Sequence, residues 1–237
     1  MTVLSVIIPA YNEATTIREV IERVHALPLP LRKEIIVVND GSSDGTLEVV
    51  RSLGDLVDQV HTRAVNTGKG TAVRIGLESA RGEIAIIQDA DLELDPSEYW
   101  TLLEPIASGR SDVVYGSRFL KKGNQIPWKT RLGNRVLTAV TNLLYGSRLT
   151  DMETAYKAFR LDAVRRLRLW AQRFEIEPEI TAKLLRAGYH ILEVPVSYRP
   201  RRADEGKKIG WRDGFAAAWC LIRCRFTRRS SFLVMRG

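Results

Sequence analysis

Cysteine is scarce in this chain, where only Cys220 and Cys224 occur, so a disulfide framework is excluded and a reducing compartment is expected. Long apolar runs are absent as well. The longest stretches without a charged residue, 1–12 and 136–147, fall well short of the ~20 apolar residues that cross a bilayer. The start of the chain has no basic region ahead of an apolar one. We therefore expect neither a secretory signal nor a membrane span.

Two nucleotide-binding motifs are also missing. No Gly-x-Gly-x-x-Gly follows an apolar strand-like run, which argues against a dinucleotide-dependent dehydrogenase. No Gly-x4-Gly-Lys-Ser/Thr occurs, so the chain has no Walker A loop. The three histidines, His25, His61 and His190, lie in or beside predicted elements and are expected to be structural.

Positive charge is concentrated at the C-terminal end. Residues 1–198 contain 25 Lys or Arg and 25 Asp or Glu, whereas residues 199–237 contain 11 and 3. Such an asymmetry indicates an anionic partner for the tail: a membrane, a phosphate or a nucleic acid. The balanced first 198 residues and the absence of a nucleic-acid motif disfavour nucleic acid.

Apolar runs alternate with helical patterns along the 237 residues, which predicts an α/β fold with a mostly parallel central sheet flanked by helices. We predict strands at 3–9, 34–39, 57–61, 84–88, 112–116, 154–160 and 190–196. Helices are predicted at 14–27, 43–53, 69–80, 97–108, 131–146, 175–187 and 211–227, with loops at 118–130 and 199–210. We expect one domain, with residues 1–210 as its main body and residues 211–237 as its C-terminal amphipathic helix and tail.

Polar residues follow three of the predicted strands. The first strand ends in Pro9-Ala10-Tyr11-Asn12-Glu13, and the second ends in Asn39-Asp40-Gly41. The fourth ends in Asp89-Ala90-Asp91, and Glu93 continues that spacing, so these three carboxylates point to one side if the chain stays extended. Strand ends of open α/β sheets bind ligands, and acidic oxygens suit a hard divalent cation. A fourth motif, Asn66-Thr67-Gly68-Lys69-Gly70, opens a helix and indicates a phosphate or sugar site.

Together and in this order, the motifs resemble the catalytic domain of glycosyltransferase family 2, which has the GT-A fold. The resemblance implies a GDP- or UDP-sugar donor and a Mg²⁺ or Mn²⁺ ion held by Asp91 and Glu93. It also implies a set of residues around the donor nucleotide: Pro9, Ala10, Tyr11, Glu13, Asp40, Lys69, Gly70, Asp89 and Ala90.

The second half is most similar to the polyprenyl-phosphate glycosyltransferases of that family, the group that includes dolichol-phosphate mannose synthases. The similar segments are Gly116-Ser117-Arg118-Phe119, Arg131, and Tyr198-Arg199-Pro200-Arg201-Arg202 with Gly206-Lys207-Lys208. The resemblance implies that Arg118, Arg131, Arg202 and Lys208 hold the acceptor phosphate and the donor diphosphate. The segment 151–157 departs from the mannose-synthase pattern. The candidate catalytic residues are Asp91, Arg118, Arg131, Asp151 and Glu153.

The chemistry of the acceptor leaves two alternatives. A polyprenyl phosphate is already largely dianionic at neutral pH and requires cations more than a base. A diffusible hydroxyl acceptor requires a general base, for which Asp151 and Glu153 are candidates. The leading interpretation is an inverting hexosyltransferase that acts on a polyprenyl phosphate, and the alternative is a soluble family 2 enzyme that acts on a diffusible hydroxyl.

The predicted last helix carries an apolar stripe with arginines around it, which is typical of a helix at a membrane surface. The stripe consists of Trp211, Phe215, Ala218, Trp219, Ile222 and Phe226. Helix 131–146 is a second candidate of this kind. We therefore expect an anionic membrane surface as a partner and a peripheral location on the cytoplasmic face. Packing of the same stripe on the sheet is the alternative.

Overall fold

Within residues 2–200 and 211–233, which a computed structural model describes, seven strands form one sheet. They are β1 Val3–Ala10, β2 Arg32–Asn39, β3 Gln59–Thr62, β4 Ile84–Ile87, β5 Val113–Ser117, β6 Lys157–Arg160 and β7 Ile191–Pro195. Their order across the sheet is β3-β2-β1-β4-β6-β5-β7. Strand β6 is antiparallel to β4 and β5, and the other neighbours are parallel. The carboxyl ends of β2, β1 and β4 therefore lie side by side at one edge.

Helices cover both faces of the sheet. They are α1 Ile17–Ala26, α2 Thr46–Ser52, α3 Lys69–Ser79, α4 Tyr99–Ala107, α5 Trp128–Tyr145, α6 Leu161–Arg165, α7 Ile176–Ala187 and α8 Trp211–Phe226. Because side chains alternate along a strand, Val6 and Ile8 of β1 pack with α1 and α4, whereas Ile7 packs with α3 and α7. The sheet is buried between two apolar layers.

The structure differs from the sequence prediction mainly after residue 118. Helix α5 begins at Trp128, three residues before the predicted start, and Pro127 occupies its N-cap position. The predicted strand 154–160 is reduced to β6, and the short helix α6 follows it directly where none was predicted. The residues of β6 and α6 show no clear pattern of apolar residues, so their secondary structure is determined by tertiary contacts.

Helix α8 has one buried side and one exposed apolar side. Its buried side chains pack on α5 and α7: Ala217, Cys220, Leu221 and Cys224. Tyr145 of α5 donates a hydrogen bond to the Leu221 carbonyl at 2.5 Å, and Arg186 of α7 donates to the Thr227 carbonyl at 2.5 Å. The helix is therefore fixed to the protein by a stripe other than the predicted one.

Four residues of the predicted stripe of α8 face outward, while the side chain of Trp211 lies outside the described part of the chain. Phe215, Trp219, Ile222 and Phe226 have exposed fractions of 71%, 65%, 40% and 79%. Helix α5 likewise exposes Trp128, Leu132, Val136 and Leu143. We call these eight side chains the apolar face. None of the described helices combines the length and the apolar content that a bilayer span requires.

Candidate active site

A cleft of about 330 Å³ opens at the carboxyl ends of β1, β2 and β4. Its walls contain all but one of the residues predicted to surround a donor nucleotide: Pro9, Ala10, Tyr11, Glu13, Asp40, Lys69, Asp89 and Ala90. Asp91 also lines it. The parallel strands bring these residues together because strands that are neighbours in the sheet end at the same edge.

Asp40 organises the loop that leads into α3. Its carboxylate accepts hydrogen bonds from the backbone N–H of Thr67 at 3.0 Å and of Gly68 at 2.6 Å, and from the Thr67 hydroxyl at 3.0 Å. Asp40 is almost completely buried, with 2% of its surface exposed. It therefore shapes the wall of the cleft as well as lining it.

Lys69 is held between two carboxylates. Its Nζ lies 2.7 Å from Asp89 Oδ1 and 3.0 Å from Glu177 Oε1, and Glu177 in turn pairs with Lys157. Burial by itself lowers the pKa of Lys69, but the charges of Asp89 and Glu177 outweigh it and hold that pKa well above its ordinary value. Lys69 thus stays charged, and its charge is paired with the carboxylates of Asp89 and Glu177.

The start of α3 corrects one prediction. Gly70 does not line the cleft, since its N–H donates to the Arg173 carbonyl at 3.1 Å, and the N–H of Thr71 donates to the Gln172 carbonyl at 3.0 Å. A Cβ on Gly70 would lie 2.6 Å from the Ala171 carbonyl oxygen. Gly70 is required for this close packing, and these N–H groups are not available to a phosphate.

The acidic segment after β4 does not stay extended. Leu92 has a φ of 59°, so the chain turns after Asp91. The N–H of Glu93 donates to Asp91 Oδ1 at 3.1 Å, and the Glu93 carboxylate hydrogen-bonds the Tyr198 hydroxyl. The expected row of three carboxylates is therefore wrong. Asp91 remains in the cleft wall, whereas Glu93 lies beside Tyr198.

Hard oxygen donors for a cation are present in this wall, although no three His, Cys, Asp or Glu side chains of the described chain form a preformed cage. Mg²⁺ commonly uses one or two protein carboxylates and takes its other oxygens from water and ligand phosphates. Asp91, a carboxylate that lines an open cleft, fits that donor set.

A second polar cluster surrounds Arg118, immediately after β5. Its guanidinium forms a bidentate pair with Asp151, at 2.7 Å for Nε and 2.8 Å for Nη2. Asn134 of α5 donates to the same carboxylate at 2.5 Å, and the Tyr198 ring lies 5.2 Å from the guanidinium carbon. Arg118 is thus held in one orientation and keeps N–H donors that Asp151 does not use.

Two candidate bases behave differently in this cluster. Asp151 has no exposed surface, and although burial raises its pKa, the Arg118 charge lowers it further and leaves it below its ordinary value. Both oxygens of Asp151 are engaged by Arg118 and Asn134, which favours a role in orienting Arg118 over the predicted role as a base. Burial raises the pKa of Glu153 to about 7, the neighbouring charge of Lys157 lowering it only in part. Glu153 Oε1 is buried with no hydrogen-bond partner among the described residues.

The remaining predicted phosphate ligands lie elsewhere. Arg131 is exposed in the first turn of α5, three residues before Asn134, and it does not line the donor cleft. Arg202 and Lys208 lie outside the described residues.

Arg173 and Phe174 line the cleft without having been predicted. They precede α7 and carry no motif of their own. The glycines at 68 and 70 signal that another backbone comes close, but the sequence does not identify which segment that is.

Comparison with known proteins places this geometry in a family. A family model described as "Glycosyl transferase family 2" matches residues 5–168. The chain is 31% identical to an undecaprenyl-phosphate mannosyltransferase of Micrococcus luteus, covering 92% of this chain and 97% of that protein. It is 30% identical to glycosyltransferase AglD of Haloferax volcanii over 95% of this chain, but it spans only 39% of AglD.

The fold has close counterparts among solved structures. Glucosyl-3-phosphoglycerate synthase of Mycobacterium tuberculosis, crystallised with Mn²⁺, UDP-glucose and phosphoglyceric acid, superposes with a TM-score of 0.72 at 24% identity. The alignment covers 94% of this chain and 80% of that one. The predicted α/β fold of GT-A type is confirmed. The chain belongs to glycosyl transferase family 2, and within it the chain resembles the polyprenyl-phosphate glycosyltransferases.

Proposed function

We propose that the protein transfers a hexose from a GDP- or UDP-sugar to a polyprenyl phosphate, with inversion at the anomeric carbon. The observation that carries this proposal is the apolar face, because half of it lies on α5, the helix whose Asn134 contacts the carboxylate partner of Arg118. The names of relatives such as the undecaprenyl-phosphate mannosyltransferase support the same acceptor class.

Helix α5 connects the two features. On its inner side, Asn134 contacts Asp151, which holds Arg118. On its outer side, Leu132 and Val136 are exposed by 57% and 54%. An α-helix with its side chains is about 10 Å across, so a lipid on the outer side lies within that distance of the cluster. A prenyl chain resting on the apolar face can therefore present its phosphate to Arg118.

Cations near Arg118 suit a phosphate acceptor. The charge of Arg118 is balanced by Asp151, and its role is to orient the phosphate through its remaining N–H groups. Arg131, one helical turn from Asn134, is exposed and supplies charge that no described acid pairs with. Arg202 and Lys208 are proposed to add to this set. Because the acceptor is already dianionic, no base is required.

The donor half of the reaction is assigned to the cleft. Tyr11 and Phe174 offer ring faces for the nucleoside, and Asp40 stands at the end of β2 among backbone donors. Asp91 would hold Mg²⁺ or Mn²⁺ there, and a bound ion supplies charge that stabilises the leaving nucleoside diphosphate. Glu93 is proposed to support Asp91 through its N–H.

The membrane partner is proposed from the apolar face and the arginines that follow its aromatic residues. Arg225, Arg228 and Arg229 are exposed at the end of α8, near Phe226. Aromatic side chains enter the headgroup region, and each nearby arginine adds about 1 kcal/mol of attraction to anionic lipid. A peripheral position on the cytoplasmic face of a membrane follows, since anionic lipids are concentrated in that leaflet.

Glu153 favours a second candidate function, transfer to a diffusible hydroxyl. A carboxyl group with a pKa of about 7 is suited to accept a proton at neutral pH. However, Glu153 does not line the described donor cleft. The lipid phosphate acceptor therefore remains the first proposal.

The proposal is tested by incubating the protein with radiolabelled nucleotide sugars, Mn²⁺ and vesicles that contain polyprenyl phosphate. We expect label from one sugar to enter the organic phase, and NMR of the product to show an anomeric configuration opposite to that of the donor. Transfer only to water-soluble hydroxyl compounds would favour the second candidate, and a retained configuration would contradict inversion.

A further inference from the structure

We propose that Arg173 binds the diphosphate of the donor, an inference that rests on the proposed function and assigns a further residue to its donor site. Arg173 lies beyond residues 5–168, the part matched by the family model. It precedes α7 and forms, with Phe174, one wall of the cleft. The contacts around it and the charges in the cleft support this role.

The backbone of Arg173 is fixed against the start of α3. Its carbonyl accepts the Gly70 N–H at 3.1 Å, and the preceding carbonyl accepts the Thr71 N–H. A Cβ on Gly68 would lie 2.8 Å from Arg173 Cγ and 3.0 Å from its Cα. The first part of the side chain is thus packed on a glycine, while the residue as a whole is exposed. Because its backbone and the first part of its side chain are packed against the start of α3, Arg173 is held in place as part of the cleft wall.

The balance of charge in the cleft leaves a role for this guanidinium. Acids dominate the walls: Glu13, Asp40, Asp89 and Asp91. Lys69, the other cation of the lining, is paired with Asp89 and Glu177. Within residues 2–200 and 211–233, the Arg173 side chain makes neither an ion pair nor a hydrogen bond. Arg173 is therefore the lining cation that is left to offset a diphosphate, and its planar fork suits bidentate contact with phosphate oxygens.

Isothermal titration calorimetry with Mn²⁺ tests this role. For Arg173→Gln we expect the Kd for UDP or GDP to rise about tenfold, equivalent to ~1.4 kcal/mol, while the Kd for uridine or guanosine stays unchanged. Arg173→Lys should give an intermediate loss, because the charge remains but the fork is lost. Arg166→Gln is the matched control, since Arg166 is exposed after α6 and does not line the cleft. It should leave each Kd unchanged.

The outcomes separate this inference from the proposed function. If the wild type binds UDP or GDP and Arg173→Gln binds it equally well, the inference is overturned. Equal losses for the nucleoside and the diphosphate also overturn it, since they assign Arg173 to the base. If the wild type binds neither diphosphate, the proposed function itself fails. A thermal midpoint within 2 °C of wild type in both Arg173 variants, roughly 0.5 kcal/mol for a chain of this size, excludes misfolding as the cause of any loss.

Discussion

In residues 2–117 the candidate site lies where strands end, whereas in residues 118–233 it is assembled by contacts between segments far apart in the sequence. Asp40 follows directly after β2, and Asp89 lies two residues after the end of β4. Arg118 instead depends on Asp151, 33 residues away, and on Asn134 of α5. The difference teaches that strand topology positions the strand-end residues of the proposed donor side. Arg118 on the proposed acceptor side, like Arg173 and Phe174 in the cleft wall, requires contacts between distant segments.

The two regions also differ in charge. On the proposed donor side, the cleft is lined by four acids, Glu13, Asp40, Asp89 and Asp91, and by two cations, so this part of the site is negative without its ligands. On the proposed acceptor side, Arg118 faces one carboxylate, and the exposed Arg131 lies one helical turn from Asn134, which contacts the same carboxylate. The donor side is thus suited to a ligand that arrives with a cation, and the acceptor side to a free anion. Substitutions that change one region and not the other test this comparison.

The largest effect is expected for Asp91→Ala. It removes the carboxylate proposed to hold the metal and should lower turnover by about 10³-fold, equivalent to ~4 kcal/mol of transition-state stabilisation. Because the residue lies in an open cleft, the thermal midpoint should not change. Asp112→Ala, at a half-exposed surface ion pair, is the control and should retain full activity. Turnover near wild type, or unfolding that explains all of the loss, would refute the assignment.

Asp151→Asn should break the acceptor side alone. It leaves the buried Arg118 guanidinium without its partner, and we expect about 3–5 kcal/mol less stability in urea titrations at pH 7. UDP or GDP binding should persist at urea concentrations below the unfolding midpoint of the variant, because Asp151 does not line the proposed donor cleft. The exposed Asp162→Asn is the control. Loss of donor binding in a folded Asp151→Asn protein would show that the two regions are not separate.

Glu153→Gln should change how stability depends on pH. The pKa of Glu153 is raised to about 7 by burial, so the protonated form is favoured in the fold. The contribution of Glu153 to the free energy of unfolding is therefore complete below the ordinary glutamate pKa. It is lost as pH rises through about 7. The variant should match wild type near pH 5 and be roughly 1–3 kcal/mol more stable at pH 8. Urea titrations at the two pH values measure this. If the variant is less stable than wild type at pH 8, the claim that burial raises the pKa of Glu153 is contradicted.

Only a small effect on stability is expected at the apolar face. Replacing Trp219 and Phe226 by Ser should change the free energy of unfolding by no more than about 0.5 kcal/mol, because both side chains are exposed. Vesicle binding should weaken about tenfold or more as aromatic area is lost from the lipid. Ala216→Ser, exposed on the same helix, is the control. If stability and donor binding fall together with vesicle binding, the face serves packing instead.

The sequence predicted which residues come together in the cleft, because polar motifs at the ends of neighbouring parallel strands meet at one edge of the sheet. It missed local backbone geometry, such as the left-handed φ of Leu92 that turns Glu93 out of the row. It also missed that backbone carbonyls occupy the first N–H groups of α3. Arg173 was missed because its position depends on a docking contact, for which a single sequence holds no signal beyond two glycines.

The prediction for α8 shows the same limit. Its apolar stripe was identified, but the side that packs on α5 and α7 is a second stripe of small or medium side chains, among them Ala217, Cys220 and Leu221. A helix that is apolar on two sides does not reveal from its sequence which side is buried. The structure resolves this by exposing the aromatic side.

The nature of the acceptor group is tested most directly by a pair of lipids that share one tail. Vesicles containing polyprenyl phosphate and vesicles containing the matching polyprenol would be compared in the same transfer assay, with label in the extracted lipid as the readout. We predict transfer to the phosphate and none to the alcohol, since Arg118 keeps N–H donors for a phosphate and Glu153, the candidate base, does not line the cleft. Equal transfer to both lipids, or transfer to the alcohol alone, would contradict a phosphate acceptor.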